Sequence, residues 1–481
     1  MPLTFSMAGD TNILFRSFLG LVSVSIILAI SLDNYIPFIL PLLAIGIGLL
    51  WNDYRRLFYL IFIVLPFSIE IYFDGVGIGT DLPSEPLMIL LSGITVIVLL
   101  RTNFKITYGY LMHPITLFLL LHIFWILATS IQSQNLLISF KVLAAKIWYF
   151  LPFFVFPLIT FKRSEQFEQA YRLLYLFLFY AICIVLIRHA FEGFSFASSY
   201  DVVRPFFRNH VNYAAISVVC LPFVWAFYRI NNFNNFSNKW MSLVFLVFIT
   251  GIYFSYTRAA ILSMFIAVGA YFIIKARLVK EALLLSSIVA LTGIIILSWN
   301  NKYMDLAPDF EKTISHTEFD NLLEATYKLE DISSMERVYR WMAGIEMIKD
   351  KFWMGFGPGC FYSNYKSYSI SRFQTYVSDN PDQSGIHNYF LMTWVEQGLV
   401  GFLIFIGLCF SLLIEGENLY HKCTDLRDRY LIMATTLGFI IIFAMCLIND
   451  LIETDKVGPF FFLNMAFLLF YSVKYKTKLS N

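Results

Sequence analysis

The stretch Ser384-Gly385-Ile386-His387-Asn388-Tyr389-Phe390-Leu391-Met392 joins the largest polar segment of the chain to a long apolar one. Its reading decides the fold. Beyond Tyr389 the residues are apolar enough to cross roughly 30 Å of hydrocarbon as a helix, and similar runs fill most of the chain before it. The polar segment, about residues 300–386, is the one late break in that series, and it delivers a histidine to the mouth of the next span. A polytopic protein that puts its largest water-facing segment and a histidine at one membrane surface is expected to do chemistry there.

Composition agrees. Of 481 residues 58% are hydrophobic, 18% aromatic and 14% charged, and the mean hydropathy is +0.68. A soluble core cannot use such values and a bilayer can. Apolar runs start near Phe15, Tyr35, Leu57, Glu85, His113, Ile147, Ala170, Val211, Trp240, Ala259, Ala282, Tyr389, Tyr430 and Pro459. The expected fold is therefore all-α, a polytopic integral membrane protein of about 12–14 transmembrane helices with one large outer loop containing short helices. Three regions follow: a helix bundle over 1–299, the loop over 300–386, and C-terminal transmembrane helices over 387–481.

Short cytoplasmic loops retain Lys and Arg, so alternate loops give the orientation. Arg55-Arg56, Arg101 with Lys105, Lys162-Arg163, Arg229 with Lys239, Lys275 to Lys280, Lys422 to Arg429 and the tail Lys474 to Lys478 form one set. That set and both termini are expected in the cytoplasm. The stretch from Asp74 to Glu85 has no Lys or Arg and falls on the opposite side with the large polar segment. Residues Met1 to Asn12 are short and polar without a small-residue cleavage site, so the first hairpin reads as retained. Six scattered cysteines show neither a disulfide framework nor metal-ligand spacing. A net charge of +2 gives no reason to expect nucleic acid as a partner.

The outer face nevertheless carries cations. Arg204 and Arg208 lie with His210 before the span near Val211, Arg258 lies in the tight turn Ser255-Tyr256-Thr257-Arg258-Ala259-Ala260, and Arg337 and Arg340 lie in the large segment. Each alone also reads as an ordinary snorkelling anchor to lipid phosphate. At Arg258 a two-span hairpin with almost no loop forces the guanidinium to the bilayer boundary, where it must find an anion or water.

Within the large segment, Glu318 to Asp331 has helical spacing. Ser333 and Glu336 read as a capping box that opens a second helix with an apolar stripe of Met335, Val338, Trp341, Ile345 and Ile348, Arg337 being on its polar side. Gly355-Phe356-Gly357-Pro358-Gly359 either lets backbone approach a ligand or is a plain turn, and it is no Walker loop. His387 is the sharpest candidate. A lone histidine at a span boundary also reads as an interfacial polar residue. Adjacent Asn388, the carboxylate of Glu396 further along the same helix, and the arginines on the same side favour a functional role.

In order and spacing, Ser255 to Ala260, Arg337-Val338-Tyr339-Arg340-Trp341, Gly355 to Gly359, His387 to Leu391 and Glu396-Gln397-Gly398-Leu399-Val400-Gly401 resemble the O-antigen ligase and O-antigen polymerase superfamily of bacterial envelope glycosyltransferases. The resemblance covers about Arg204 to Gly401. It implies a GT-C-like fold in the bacterial inner membrane with the active site facing the periplasm. It also implies an inverting, metal-independent transfer of a glycan from undecaprenyl diphosphate to an acceptor hydroxyl, with no cofactor. By motif position, Arg258 and Arg337 would stabilise the diphosphate and His387 would take the acceptor proton. Arg204, Arg208, His210, Arg340, Gly357, Asn388 and Glu396 would assist in substrate binding. The turn reads Thr-Arg-Ala-Ala where many relatives carry glycine. The expected partners are a lipid-linked glycan donor, lipid A-core or another glycan acceptor, and membrane lipids. Ligation to lipid A-core is the favoured reading because one dominant outer segment carries both Arg337 and His387. A polymerase, a protein O-oligosaccharyltransferase and a lipid-linked glycan transporter are the alternatives.

Overall fold

The computed structural model describes residues 53–73, 78–104, 106–230, 235–299, 331–374, 378–380 and 384–480, with isolated positions besides. The runs near Phe15 and Tyr35, the cation Lys105, and the helix over 318–331 apart from Asp331 lie outside the described residues. The chain divides into two compact units, 1–61 and 62–481. Apart from residues 55–61, all of the geometry below belongs to the second.

The elements in order are α1 (Arg55–Val64), β1 (Ile69–Phe73), β2 (Ile78–Leu82), α2 (Ser84–Arg101), α3 (Pro114–Ile131), α4 (Leu136–Thr160), α5 (Ser164–Phe191), α6 (His210–Ile230), α7 (Asn235–Tyr253), α8 (Arg258–Lys275) and α9 (Val279–Ser298). They continue with α10 (Ile332–Asp350), α11 (Tyr389–Lys422), α12 (Leu426–Cys446) and α13 (Gly458–Ser480). Nine of the described helices are long and apolar enough to cross a membrane: α2 to α6, α8, α9, α11 and α12. The protein is an all-α polytopic membrane protein.

Two sequence expectations change. The run near Leu57 gives only the ten residues of α1, because Pro66 ends it in a single tight turn. The chain then enters an antiparallel hairpin in which Ile69 faces Leu82 and Phe73 faces Ile78. Alternation in Ile69-Glu70-Ile71-Tyr72-Phe73 and the Asp74-Gly75 pair carry a hairpin signal that a search for long apolar runs passes over. The second change concerns the start of α10. Its N-cap is Asp331, whose carboxylate accepts from the Ser334 N–H at 3.0 Å, and the Ser333–Glu336 capping box does not form.

At the centre, α6 and α12 pack on one another, with α8 against α12 and α3 against α11. Some of the buried polar groups there pair with one another, which lowers the cost of placing them in a hydrocarbon surrounding. Tyr171 stacks on Phe223 at 4.1 Å and donates its hydroxyl to Asn464 Oδ1 at 2.8 Å. The sequence also shows one face of α10 incompletely. Tyr339, Met342, Ala343 and Met347 are buried apolar residues of α10, packed with Phe356, Phe361, Tyr365, Ile386 and Val395. Ile345 is 40% exposed. So α10 sits on the segment that follows it and on the start of α11, which turns Arg337, Val338 and Trp341 toward a cavity.

Candidate active site

That cavity, about 520 Å³, lies where three helices begin. His210 and Val211 open α6, Arg258 and Ala259 open α8, and Ile332 to Met335 open α10, and all of them line it. The first N–H groups of a helix have no intrahelical acceptor and carry the positive end of its dipole. Three such ends around one space favour an anion.

The side chains agree. Arg258 Nη2 meets Asp331 Oδ2 at 3.0 Å, so the cap of α10 also holds the turn before α8. Burial alone would push the Asp331 carboxyl up, but Ser334 and Arg258 hold it below the usual range. Arg337 donates through Nη1 to the Ser333 carbonyl at 3.1 Å and the Ser333 hydroxyl at 2.9 Å. Its Nε is buried without a partner, as is His210 Nδ1. Burial together with Arg258 and Arg340 pushes the Arg337 guanidinium down to about 10. It remains charged at neutral pH, held beside two like charges.

Beside the cavity, α10 grips the loop that carries His387. Arg340 Nη1 donates to the Gly385 carbonyl at 3.3 Å and Trp341 Nε1 to the Ile386 carbonyl at 3.0 Å. From the opposite side, Asp450, between α12 and α13, accepts the His387 backbone N–H at 3.1 Å. His387 stands in the left-handed region at φ 55, a strained position for a residue with a Cβ. Burial, then Arg337 and Arg340, lowers its imidazole to about 3, so it is neutral at pH 7 with a lone pair free. Asp450 is pushed up to about 7, by burial first and by Glu453, against the His387 N–H and the two arginines.

The remaining candidates have other partners. Arg204 is exposed, stacks on Tyr200 at 4.4 Å and donates to its hydroxyl at 2.6 Å. Arg208 ties the hairpin to the bundle, meeting Asp81 at 2.8 Å and Glu70 at 3.1 Å. Arg340 also pairs with Glu336 at 3.4 Å, whose other oxygen accepts from Ser378 at 2.6 Å. Asn388 caps α11 by accepting from the Leu391 N–H at 3.0 Å. Glu396 and Gly357 build a clamp. The Glu396 carboxylate accepts from the N–H groups of Gly359 at 2.8 Å and Phe361 at 3.2 Å. Phe356 and Gly357 N–H groups reach the Val395 and Glu396 carbonyls at 3.0 and 2.9 Å. Gly357 has φ 102 and its hydrogens face Ser133, whose Oγ would lie 2.3 Å from a Cβ there. The close backbone approach that the glycines permit is thus to the protein itself.

Residues 243–406 match the family model described as O-Antigen ligase. Over that third of the chain the protein is similar to the O-antigen ligase family. Members of this family are glycosyltransferase-like enzymes, with a lipid-linked glycan and an acceptor as partners in general. The O-antigen ligase match contains Arg258, Arg337 and His387 and excludes Arg204, Arg208, His210 and Asp450. No curated protein matches the chain.

Asp450 is the residue that sequence reasoning missed. A search of the outer loops for cations ignores acids, yet Asn449, Asp450 and Glu453 closely follow the end of α12, where a carboxylate has to find a partner. Among the described residues, no group of three or more His, Cys, Asp or Glu side chains is arranged to hold a metal ion.

Proposed function

We propose that the protein is an inverting, metal-independent glycosyltransferase. It would take a glycan from undecaprenyl diphosphate at the periplasmic face of the bacterial inner membrane and pass it to an acceptor hydroxyl, with lipid A-core as the favoured acceptor. The observation that carries this reading is the cavity at the starts of α6, α8 and α10, where, among the described lining residues, Arg258 and Arg337 stand with one carboxylate, Asp331, which pairs with Arg258. More positive than negative charge in a half-enclosed space calls for an anionic ligand, and a diphosphate supplies one.

In this reading the acceptor oxygen attacks the anomeric carbon and the bond from that carbon to the diphosphate oxygen breaks. The acceptor proton passes to the neutral imidazole of His387, and the electron pair leaves with the diphosphate. Arg258, Arg337 and the helix starts bind the charge that builds on it. An imidazole near 3 is a weak base while the site is empty. Donor binding changes that, because a diphosphate beside Arg337 and Arg340 offsets the charges that depress His387. The base therefore strengthens when the donor is in place. Asp450 holds the His387 backbone through its N–H while the imidazolium forms. Lys and Arg on alternate loops support placing this end of the bundle outside the cytoplasm.

The test is transfer of a tagged glycan from undecaprenyl diphosphate to lipid A-core in proteoliposomes, with and without chelator. Chelator-resistant transfer that is lost in His387→Ala is expected. Full transfer by His387→Ala would remove the proposed base. Transfer to a second lipid-linked repeat, with none to lipid A-core, would reassign the protein as a polymerase.

A further inference from the structure

Lys146 stands ten residues into α4, in the middle of a span, and is 5% exposed. A primary amine there is costly unless paired, and this one has two partners. Its Nζ lies 2.6 Å from Glu453 Oε1 and 2.7 Å from the Tyr389 hydroxyl. The Tyr389 hydroxyl in turn donates to Glu453 Oε1 at 2.9 Å, which closes a triangle. Its corners come from α4, from the first residue of α11, and from the turn Leu451–Glu453.

The last two segments are those that carry the proposed chemistry. Tyr389 is two residues after His387, and Asn388 between them is fixed as the cap of α11. Glu453 is three residues after Asp450. Among the described residues, the hydrogen bond that joins these segments at the site runs from the His387 N–H to the Asp450 carboxylate, at 3.1 Å. One hydrogen bond is a weak constraint on a backbone held at φ 55. The triangle adds three more, deeper in the bundle. Tyr389 is 1% exposed and its ring packs on Phe405 at 5.1 Å, so it cannot swing away from the amine.

We propose that Lys146 is a positioning residue for the transfer reaction read above: through Tyr389 and Glu453 it locks the 387–389 and 450–453 segments together and sets where the His387 imidazole stands. It touches no substrate, and it lies on α4, away from the helix starts that line the cationic cavity. Its loss therefore acts on kcat and spares donor recognition. The inference rests on the glycosyltransferase reading.

Glycan transfer from undecaprenyl diphosphate by the full chain in proteoliposomes tests it. Lys146→Met should lower kcat by about 10²-fold, the loss that a misplacement near 1 Å brings, with KM for the donor within about threefold of wild type. Glu453→Gln keeps an oxygen that accepts from both partners and should retain most of the activity, whereas Glu453→Leu should resemble Lys146→Met. The double variant Lys146→Met, Glu453→Leu should be no slower than either single one, as expected of groups acting as a unit. Wild-type kcat in folded Lys146→Met overturns the inference, and so do equal losses in Glu453→Gln and Glu453→Leu. If Lys146→Met does not accumulate, Tyr389→Phe removes one hydroxyl and decides in the same way: a lower kcat at unchanged KM supports the proposal and wild-type kcat overturns it. His387→Ala is run alongside. Its retention of full activity would remove the proposed base, and no transfer by the wild type would sink the glycosyltransferase reading, while an inactive His387→Ala beside a wild-type Lys146→Met would sink the positioning role alone.

Discussion

Arg337 and Arg258 differ in what holds them, and their variants should differ accordingly. Arg258 is anchored by Asp331, while Arg337 keeps a buried Nε without a partner beside two like charges. Arg337→Gln should lower kcat by about 10²- to 10³-fold, as removal of one donor to a developing charge does elsewhere, and should leave the fold intact. The pH dependence belongs to Asp450. Its carboxyl titrates near 7 and His387 near 3 in the empty enzyme, so as pH falls through about 7 it is Asp450 that gains a proton. The profile of kcat/KM, which reports the free enzyme, should therefore fall on the acid side near pH 7, and Asp450→Asn should be slow with that limb absent. Gly385→Ala probes the same carboxylate, because a Cβ there would lie 2.8 Å from Asp450 Oδ2. That oxygen ends a side chain that can turn aside, so the melting temperature should hardly change while transfer falls at least about tenfold. Arg258 and Arg337 stood out in the sequence as cations on the outer face, and His387 as a polar residue at a span boundary beside Asn388, and the structure sets all three about one end of the bundle. Glu396 was singled out as an acid within a span and Gly357 as part of a glycine-dense loop, yet their partners are backbone groups and Ser133, which no spacing rule reveals.

Helix α11 is broken at Gly398, which has φ 69 and ψ −176. The break frees the Gln397 carbonyl, which accepts from Trp125 Nε1 at 2.8 Å, and lets Leu399 N–H reach the Phe352 carbonyl at 2.8 Å. A Cβ at Gly398 would lie 2.1 Å from the Trp353 oxygen, which is backbone and cannot yield. Gly398→Ala should cost several kcal/mol, about 3 or more, from strain and overlap together, and should be seen as a loss of folded protein in a thermal or proteolytic assay. This is the reverse of Gly385→Ala, where activity goes and stability remains. At this scale nine of the eleven spans expected from Glu85 onward were legible because each is a long apolar run between charges, while the runs near Trp240 and Pro459 give α7 and α13, which fall outside the nine. The hairpin was not, since ten residues in two strands are too short for any span-length window. Its attachment also depends on residues remote in sequence: Arg208 binds Asp81 and Glu70, and Lys456 donates to the carbonyls of Leu65 and Ser68 at 2.8 and 3.1 Å.

For the whole molecule, helix order alternates the chain between two ends, and the candidate site gathers at one of them. His210, Arg258, Arg337, His387 and Asp450 come from five separated segments, and the starts of α6, α8 and α10 carry three of the five. The sequence foretold the shared end through loop charges. It could not foretell the cavity, which exists because α10 packs through Tyr339, Met342, Ala343 and Met347 and so faces Arg337 inward. The proposed orientation is tested by labelling intact cells with a membrane-impermeant maleimide. Ser371→Cys should react and Lys275→Cys should not, against the native chain as background. The reverse pattern would put the cavity in the cytoplasm.

The central claim is that the cavity between the starts of α6, α8 and α10 is a diphosphate site. Its most direct measurement is the affinity of purified protein for undecaprenyl diphosphate, compared with undecaprenol, in wild type and Arg337→Gln. The account predicts that wild type prefers the diphosphate by at least about 1.4 kcal/mol, a factor of ten, and that Arg337→Gln loses the preference while still binding the undecaprenol chain. Equal affinity of the wild type for both lipids, or an undiminished preference in Arg337→Gln, would contradict it.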